Sequence, residues 1–514
     1  MFSSRRRFLS KLFAAPLGAA PALGRLLHAF EFSADDSLAR LAADPLRPQF
    51  HLLPAKNWMN DPNGPIFWKG SYHMFFQYNP GAAVWGDMHW AHAVSPDMVH
   101  WRHMPIALAP TPGWHDADGC FTGSAVVDRG TPTFVYTGVK TVAPEFATLR
   151  DGTQNLREVQ CLATSTEPQL RTWTKWNTPI IEPPRDPALT GFRDPFLWRD
   201  RDLWYLGVGS GVRKQGGRIL LYRSTDLRKW EYVHPLASGK WTEREKINPV
   251  DSGEMWECPD FFSLGSKHVL LYSTAGKVVW ETGDLDPKEL VFHSQRSGVL
   301  DHGAYYAQKT QLDAKGNRIL WGWIPETRPE AEFSAAGWAG CMALPRLLSL
   351  SSQNDLEMRV APAVHSLREK KKLSFTPQSS PEERSRAIRA VEIANLSGES
   401  YWKTESFPFS LTLADSCGSW WSLKAVASKS GITLQINEKS FELQPQSSGG
   451  LKFHLFLDAS VAELFCNDLH ALTSRIYRKP CGVLRFQMTD SDTPALTAFE
   501  AWQLRPISRD RLTT

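Results

Sequence analysis

A hairpin that opens on an acidic residue recurs along the first two thirds of this chain, and the recurrence limits the folds open to it. Asp61-Pro62 precedes Ile66-Phe67-Trp68, a Lys69-Gly70 turn and the run Tyr72 to Tyr78. Asp194-Pro195 precedes Phe196-Leu197-Trp198, a turn and Leu203 to Val208; Glu257-Cys258-Pro259-Asp260 precedes Phe261-Phe262, a Gly265-Ser266 turn and Val269 to Tyr272. Weaker copies begin near Asp118 and Asp301, so the starts are spaced by 57, 76, 63 and 44 residues. Short aromatic and β-branched runs bounded by Gly, Asn, Asp and Pro predict strands, and this spacing suits four-stranded blades with loops of varied length. A second echo agrees: Ser95-Pro96-Asp97 leads to Trp101, Ser165-Thr166-Glu167 to Trp173, and Ser224-Thr225-Asp226 to Trp230. The expectation is an all-β chain with a five-bladed β-propeller over residues 45–350.

In a propeller the equivalent positions of all blades meet at the central channel, so Asp61, Asp194 and Glu257 are expected to share one pocket. The blander alternative is that each acid merely initiates a strand, since Asp and Pro are turn residues. Three copies, set beside Asn60, Arg193 and Trp256, favour the pocket.

After Leu350 the blade pattern stops. Residues 351–388, polar and charged, read as a linker region. The runs Phe407–Leu413, Trp420–Ala425, Ile432–Ile436, Phe453–Leu457, Ala462–Phe465, Leu472–Tyr477 and Val483–Met488 then have the spacing of a C-terminal β-sandwich over 389–510.

Residues 1–29 hold Arg5, Arg6, Arg7, Lys11 and Arg25 and no acid. Paired arginines, Phe8-Leu9 and a weakly apolar stretch to Leu27 predict a twin-arginine signal peptide, cleaved after Ala22 or Ala29, hence a periplasmic or secreted protein. The remainder carries 53 basic against 54 acidic side chains, and only Lys370-Lys371-Lys372 forms a basic run. That balance speaks against a nucleic-acid partner, and no apolar stretch is long enough to predict membrane attachment once the signal is removed.

The seven cysteines, at 120, 161, 258, 341, 417, 466 and 481, are an odd number without a CxxC pair, which argues against a disulfide scaffold or a zinc ribbon. His89-x-x-His92 on a strand points its rings to opposite faces, so no metal and no cofactor is expected. HExxH, GxSxG and Walker patterns are missing from the sequence. Gly207-Val208-Gly209-Ser210-Gly211 reads as a turn, because a strand pattern follows where a dinucleotide loop needs a helix.

Asn57-Trp58-Met59-Asn60-Asp61-Pro62-Asn63-Gly64-Pro65 resembles the opening motif of glycoside hydrolase family 32, the invertases, levanases, inulinases and fructan exohydrolases. The likeness continues through Phe76-Gln77-Tyr78-Asn79-Pro80, Trp85-Gly86-Asp87-Met88-His89-Trp90, Phe121-Thr122-Gly123-Ser124-Ala125, Phe192-Arg193-Asp194-Pro195, Trp256-Glu257-Cys258-Pro259-Asp260 and Asp458-Ala459-Ser460-Val461-Ala462-Glu463-Leu464-Phe465. The resemblance implies a propeller with an appended sandwich that hydrolyses terminal β-D-fructofuranosyl bonds of sucrose or fructans with retention. It implies Asp61 as nucleophile, Glu257 as general acid/base and Asp194 as transition-state stabiliser. Asn60, Gln77, Trp85, Phe121, Thr122, Arg193 and Tyr306 would bind the fructosyl unit. Retention requires the nucleophile and the acid to be close together, and a protonated Glu257 is expected in an apolar setting flanked by Trp256, apart from the Arg193 cation.

Two departures, Asp87 for a frequent Asn and Thr122 for a frequent Ser, keep hydrogen-bonding ability. The basic stretch Gly211-Val212-Arg213-Lys214 stands where plant-invertase-like members usually carry an acid that helps hold glucose, so preference for sucrose over fructans stays open. Competing readings are an inverting five-bladed glycosidase on arabinan or xylan, and a non-catalytic sugar-binding propeller.

Overall fold

The computed structural model describes residues 34–150, 155–241, 253–375, 379–429, 431–443, 450–488, 495–509 and 511–512. The expected signal peptide, residues 1–29, lies outside the described residues. The chain forms two units, Met1–Arg40 and Leu41–Thr514; the second holds the propeller, the sandwich and the site.

Five antiparallel sheets follow one another, as the repeat predicts. Their innermost strands are Asn57–Trp68, Gly119–Asp128, Leu189–Asp200, Glu257–Leu264 and Tyr306–Leu312, and each touches the next around a ring that closes from the fifth to the first. A short strand from beyond the fifth inner strand, Trp338–Ala339, seals the ring by pairing in parallel with Asn57 and Trp58. Buried aromatic and aliphatic faces fill the gaps between blades. Phe75, Trp90, Phe134 and Tyr136 join blades one and two, and Phe196, Tyr205, Trp256, Phe261 and Tyr272 join blades three and four.

The stretch expected to be a linker is mostly sheet. Leu356–Val360 pairs with Arg346–Leu350 as the outer strand of blade five, and Arg368–Phe375 pairs with Leu496–Leu504 in the sandwich. In the first, Leu356, Met358 and Val360 alternate with charged residues and face inward; in the second, backbone pairing takes a charged stretch into the sheet. The helix Pro381–Arg389 follows, started by a capping box between Ser380 and Glu383. Two six-stranded sheets form the sandwich, and their facing sides bury Trp402, Leu411, Leu413, Trp421, Phe453 and Phe499. One disulfide, Cys417–Cys481, lies in this domain. An odd cysteine count gave no hint of it.

Gly207–Gly211 is not a turn. It lies inside the second strand of blade three, Leu203–Val212. A Cβ on Gly209 would stand 2.4 Å from the Trp256 carbonyl oxygen, and one on Gly211 would stand 1.6 Å from that of Glu254. The missing side chains let the segment leading into Glu257 press against this strand.

Propeller and sandwich share a buried polar network. His51 bonds through Nδ1 to Asp458 Oδ2 at 2.7 Å and through Nε2 to Glu463 Oε1 at 2.9 Å. Arg346 Nη2 donates to Asp301 Oδ2 at 2.8 Å, Glu463 Oε2 at 2.6 Å and Thr473 Oγ1 at 3.1 Å. All these side chains are fully or almost fully buried. Asp301, expected to head the fifth hairpin as the other acids do, belongs to this network instead of the channel.

Candidate active site

Each innermost strand breaks its register at the same height. The irregularities fall between Met59 and Pro62, Phe121 and Gly123, Arg193 and Phe196, Glu257 and Asp260, and Tyr306 and Lys309. Such bulges re-aim side chains, and here they turn one set toward the channel mouth. The register also corrects the expected equivalence of the three acids. Glu257 is the last paired residue before its bulge, the place Arg193 holds in blade three, whereas Asp194 is matched by Cys258. Matched places in adjacent blades are neighbours in space, and this puts Glu257 against Arg193 and Cys258 against Asp194.

The result is a cavity of about 320 Å³ lined by Asn60, Asp61, Trp85, Met88, Phe121, Thr122, Leu149, Arg193, Asp194, Glu257, Cys258, Tyr306 and Trp323. All three expected catalytic acids are present. Asp61 Oδ1 accepts from Asn60 Nδ2 at 2.9 Å, and its Oδ2 accepts from Thr122 Oγ1 at 2.5 Å. The Cys258 thiol lies 3.4 Å from Asp61 Oδ2 and 3.6 Å from Asp194 Oδ2. Burial pushes that thiol well above its ordinary pKa, so it stays protonated and serves as a weak donor between two carboxyls.

Asp194 is buried, with a left-handed φ of 63°. Its Oδ2 accepts the Cys258 N–H at 2.9 Å, and its own N–H donates to Thr137 Oγ1 at 3.0 Å. Burial, opposed by Arg193 and reinforced by Glu257 and Asp61, pushes its carboxyl up to about 7. Glu257 is gripped from two sides. Arg193 donates to Oε1 through Nε at 3.1 Å and Nη2 at 2.6 Å, and the Tyr306 hydroxyl donates to Oε2 at 2.9 Å.

That grip overturns the expectation of an apolar, Trp256-flanked Glu257. Successive residues of an extended chain face opposite ways, and Trp256 turns into the core between blades, stacked on Tyr272 at 3.8 Å. The polar setting has a further anchor that sequence reading missed: Arg193 Nη1 donates to Glu158 Oε1 at 2.8 Å. Glu158 is fully buried and also accepts from the Phe192 N–H and the Thr148 hydroxyl. An acid beside the apolar run Val159–Ala163 was its only signal.

Among the expected substrate-binding residues, Asn60, Trp85, Phe121, Thr122, Arg193 and Tyr306 line the cavity. Trp85 stands at the rim, 44% exposed, edge-on to Phe121 with centroids 6.0 Å apart. Gln77 does not line it. It is buried, and its amide donates to the Cys120 carbonyl at 2.9 Å beneath the floor. Arg213 is also outside the lining: its N–H donates to Ala188 O at 2.8 Å and the residue is exposed. Asp87 is likewise not among the lining residues. Leu149, Met88 and Trp323 were not foreseen, being ordinary apolar residues in sequence.

The glycosyl hydrolases family 32 N-terminal domain model matches residues 51–362, and that of the C-terminal domain matches residues 421–503. A sucrose-6-phosphate hydrolase of Escherichia coli is 35% identical over 493 residues, covering 88% of this chain and 94% of that protein. Among solved structures, a Bombyx mori GH32 β-fructofuranosidase, as a mutant in complex with sucrose, superposes with a TM-score of 0.73 at 28% identity, covering 92% of this chain and 97% of that one. Fructan 1-exohydrolase IIa of Cichorium intybus in complex with 1-kestose gives a TM-score of 0.73 at 25% identity, covering 90% and 98%. With the ordered motifs, five blades, a sandwich and three convergent acids agreeing, the chain belongs to family 32 of the glycosyl hydrolases and is a glycoside hydrolase.

Proposed function

We propose that the chain is an exported, retaining β-fructofuranosidase that removes terminal β-D-fructofuranosyl units from sucrose and from fructans such as inulin and levan. The observation that carries this reading is the meeting of Asp61, Asp194 and Glu257 in one small cavity, with Asp61 and Glu257 supplied by the inner strands of blades one and four. In the first step Glu257, protonated, gives its proton to the departing glycosidic oxygen while an Asp61 carboxylate oxygen attacks the anomeric carbon. In the second step ionised Glu257 takes a proton from water, which attacks the same carbon and frees Asp61. The donors on Glu257, from Arg193 and Tyr306, hold its carboxyl in place for both steps. Asn60 and Thr122 fix Asp61 for in-line attack. Asp194 holds fructosyl hydroxyls and balances positive charge that develops on the ring.

The fructosyl unit held in the cavity is unphosphorylated. A phosphate group needs free cationic donors, and the one cation among the described lining residues, Arg193, is committed to Glu158 and Glu257. Export is supported by the paired Arg5 and Arg6 ahead of an apolar stretch and by the Cys417–Cys481 disulfide, which suits an oxidising compartment.

Release of fructose from sucrose, inulin, levan and sucrose-6-phosphate, with the product anomer followed by NMR, tests the reading. The expected result is β-fructofuranose as first product, turnover of the neutral substrates and loss of activity in Asp61→Asn and Glu257→Gln. An α product would mean inversion, and wild-type turnover by Asp61→Asn would remove the nucleophile assignment. Arg5→Lys with Arg6→Lys is expected to leave active enzyme in the cytoplasm; unchanged export would reject the twin-arginine route alone.

A further inference from the structure

A second hollow lies at the catalytic end of the propeller, among the loops of blades two and three. Cys120 and Phe121, near the start of the inner strand of blade two, pair with Gly138 and Thr137, so the crossing that follows Thr141 caps the blade at the end where the catalytic cavity opens. Residues 182–187 lie at the same end, since they lead into Leu189–Asp200, the strand that carries Arg193 and Asp194. Residues 145–148, Arg157 and residues 182–187 line a space of about 680 Å³. It begins one residue from the active site: Leu149 lines the catalytic cavity and Thr148 lines the hollow.

Its walls are fixed in place. Thr148 is buried; its N–H donates to Leu156 O at 2.9 Å and its hydroxyl to Glu158 Oε2 at 2.9 Å, the carboxylate that also holds Arg193. Pro183, Pro184 and Pro187 stiffen the other run. On this frame the lining residue Phe146 is 59% exposed, more than any other large apolar side chain among the described residues. An apolar ring left in water forgoes the gain of burial, and a ring face suits the C–H face of a sugar. Glu145 and Asp186 offer acceptors and Arg185 offers donors for hydroxyls, while Arg157 is tied to Glu182 at 2.7 Å. Three carboxylates against two guanidiniums give an anion no advantage.

We propose that this hollow binds the part of a fructan chain that lies beyond the two units joined by the scissile bond, so that the enzyme favours fructan oligomers over sucrose. The inference rests on the hydrolase reading and adds to it the length of the preferred substrate. Phe146 and Leu149 are three residues apart, at most about 11 Å of chain. A substrate whose fructosyl unit fills the catalytic cavity and whose remainder crosses the Thr148–Leu149 rim meets the Phe146 ring next, whereas a disaccharide ends short of it. The volume falls within the roughly 300–1,000 Å³ usual for small-ligand sites.

Kinetics of the intact chain on sucrose and on inulin-type oligomers of three, four and five units test this. In wild type kcat/KM is expected to rise by about fivefold or more from sucrose to the longest oligomer, mainly through KM, as binding remote from the reacting bond requires. Phe146→Ala is expected to abolish that rise and to keep sucrose kinetics within about twofold of wild type. Phe146→Tyr, which retains the ring, is expected to preserve the rise. No gain with chain length in wild type, a gain that survives in Phe146→Ala, or an equal loss by Phe146→Ala on sucrose and oligomers would overturn the proposal. Sucrose left intact by wild type would remove the hydrolase reading and this one with it; sucrose split without any gain from length would remove this one alone.

Discussion

At the scale of single residues, the site holds a charge that the fold resists. Asp194 has a carboxyl pKa near 7 in the folded chain against an ordinary 3.8, because burial and the neighbouring carboxylates disfavour its ionised form. Between those values the folded state binds more protons than the unfolded one, so this group's contribution to stability falls as pH rises from about 4 through 7. Asp194→Asn is therefore expected to lower kcat by at least about a hundredfold and yet raise the unfolding midpoint at pH 8 by about 2 °C or more. Near pH 4 calorimetry should find little difference, and an equal gain at both pH values would contradict the cause given. A second expectation concerns the Tyr306 hydroxyl that donates to Glu257. Tyr306→Phe leaves Glu257 Oε2 without the hydroxyl that orients it, so kcat for sucrose should fall by about tenfold or more with little change in KM, and an unchanged kcat would show that Arg193 alone positions the carboxyl. Asp61, Asp194 and Glu257 were legible in sequence because short, rare motifs surround them. Glu158 and Asp301 were misjudged or missed, since what decides a buried acid's role is its partner, and Arg193 and Arg346 reach those acids from other strands.

At the scale of strands, the repeated hairpin was readable because turn residues and period-two burial are local properties. The bulges were not, and they set which side chain faces the channel. A pairing shift depends on the partner strand, which a single stretch of sequence does not name. The glycine run shows the same limit: Gly207–Gly211 reads as a turn by composition, but Gly209 and Gly211 make room for the chain of the next blade. Gly211→Ala is expected to push the Glu254–Trp256 segment outward and carry Glu257 with it. The measurement is kcat with folding checked by circular dichroism; a loss of about tenfold or more in a folded protein is expected, and unchanged kcat would show that the segment shifts without moving the acid. The supposed linker failed for a related reason, since Leu356–Val360 looks polar on average while its Leu, Met and Val still make one buried face, and the strand that Arg368–Phe375 joins lies far along the chain.

At the scale of the whole molecule, no described residue of the sandwich lines the site, yet the sandwich braces one of its walls. The backbone of residues 302–304 bonds to that of the sandwich strand His470–Arg475 just before Tyr306 begins its own strand. Arg346, beneath, stacks on Tyr305 at 4.2 Å. Within the shared network burial alone would lower His51, but Asp458 and Glu463 push it up to about 9. Burial would raise Glu463, but Arg346 and His51 pull it down to about 2. The His51 contribution is full below pH 6.5 and is lost as pH rises through about 9; that of Glu463 is full above 4.5 and is lost as pH falls through about 2. His51→Gln is expected to cost about 3 kcal/mol at pH 6 and to flatten the decline of the unfolding midpoint between pH 6.5 and 9. An undiminished decline in the variant would assign it to other groups. The parallel pairing of Trp338–Ala339 with Asn57–Trp58 has its own consequence, one of timing. The strand that carries Asp61 leaves the ribosome early, but its flank stays bare until the chain near residue 338 has followed. Catalytic competence is thus acquired only after about two thirds of the chain has been made, and nascent chains that end between Glu257 and Trp338 hold every acid of the site without the ability to use them.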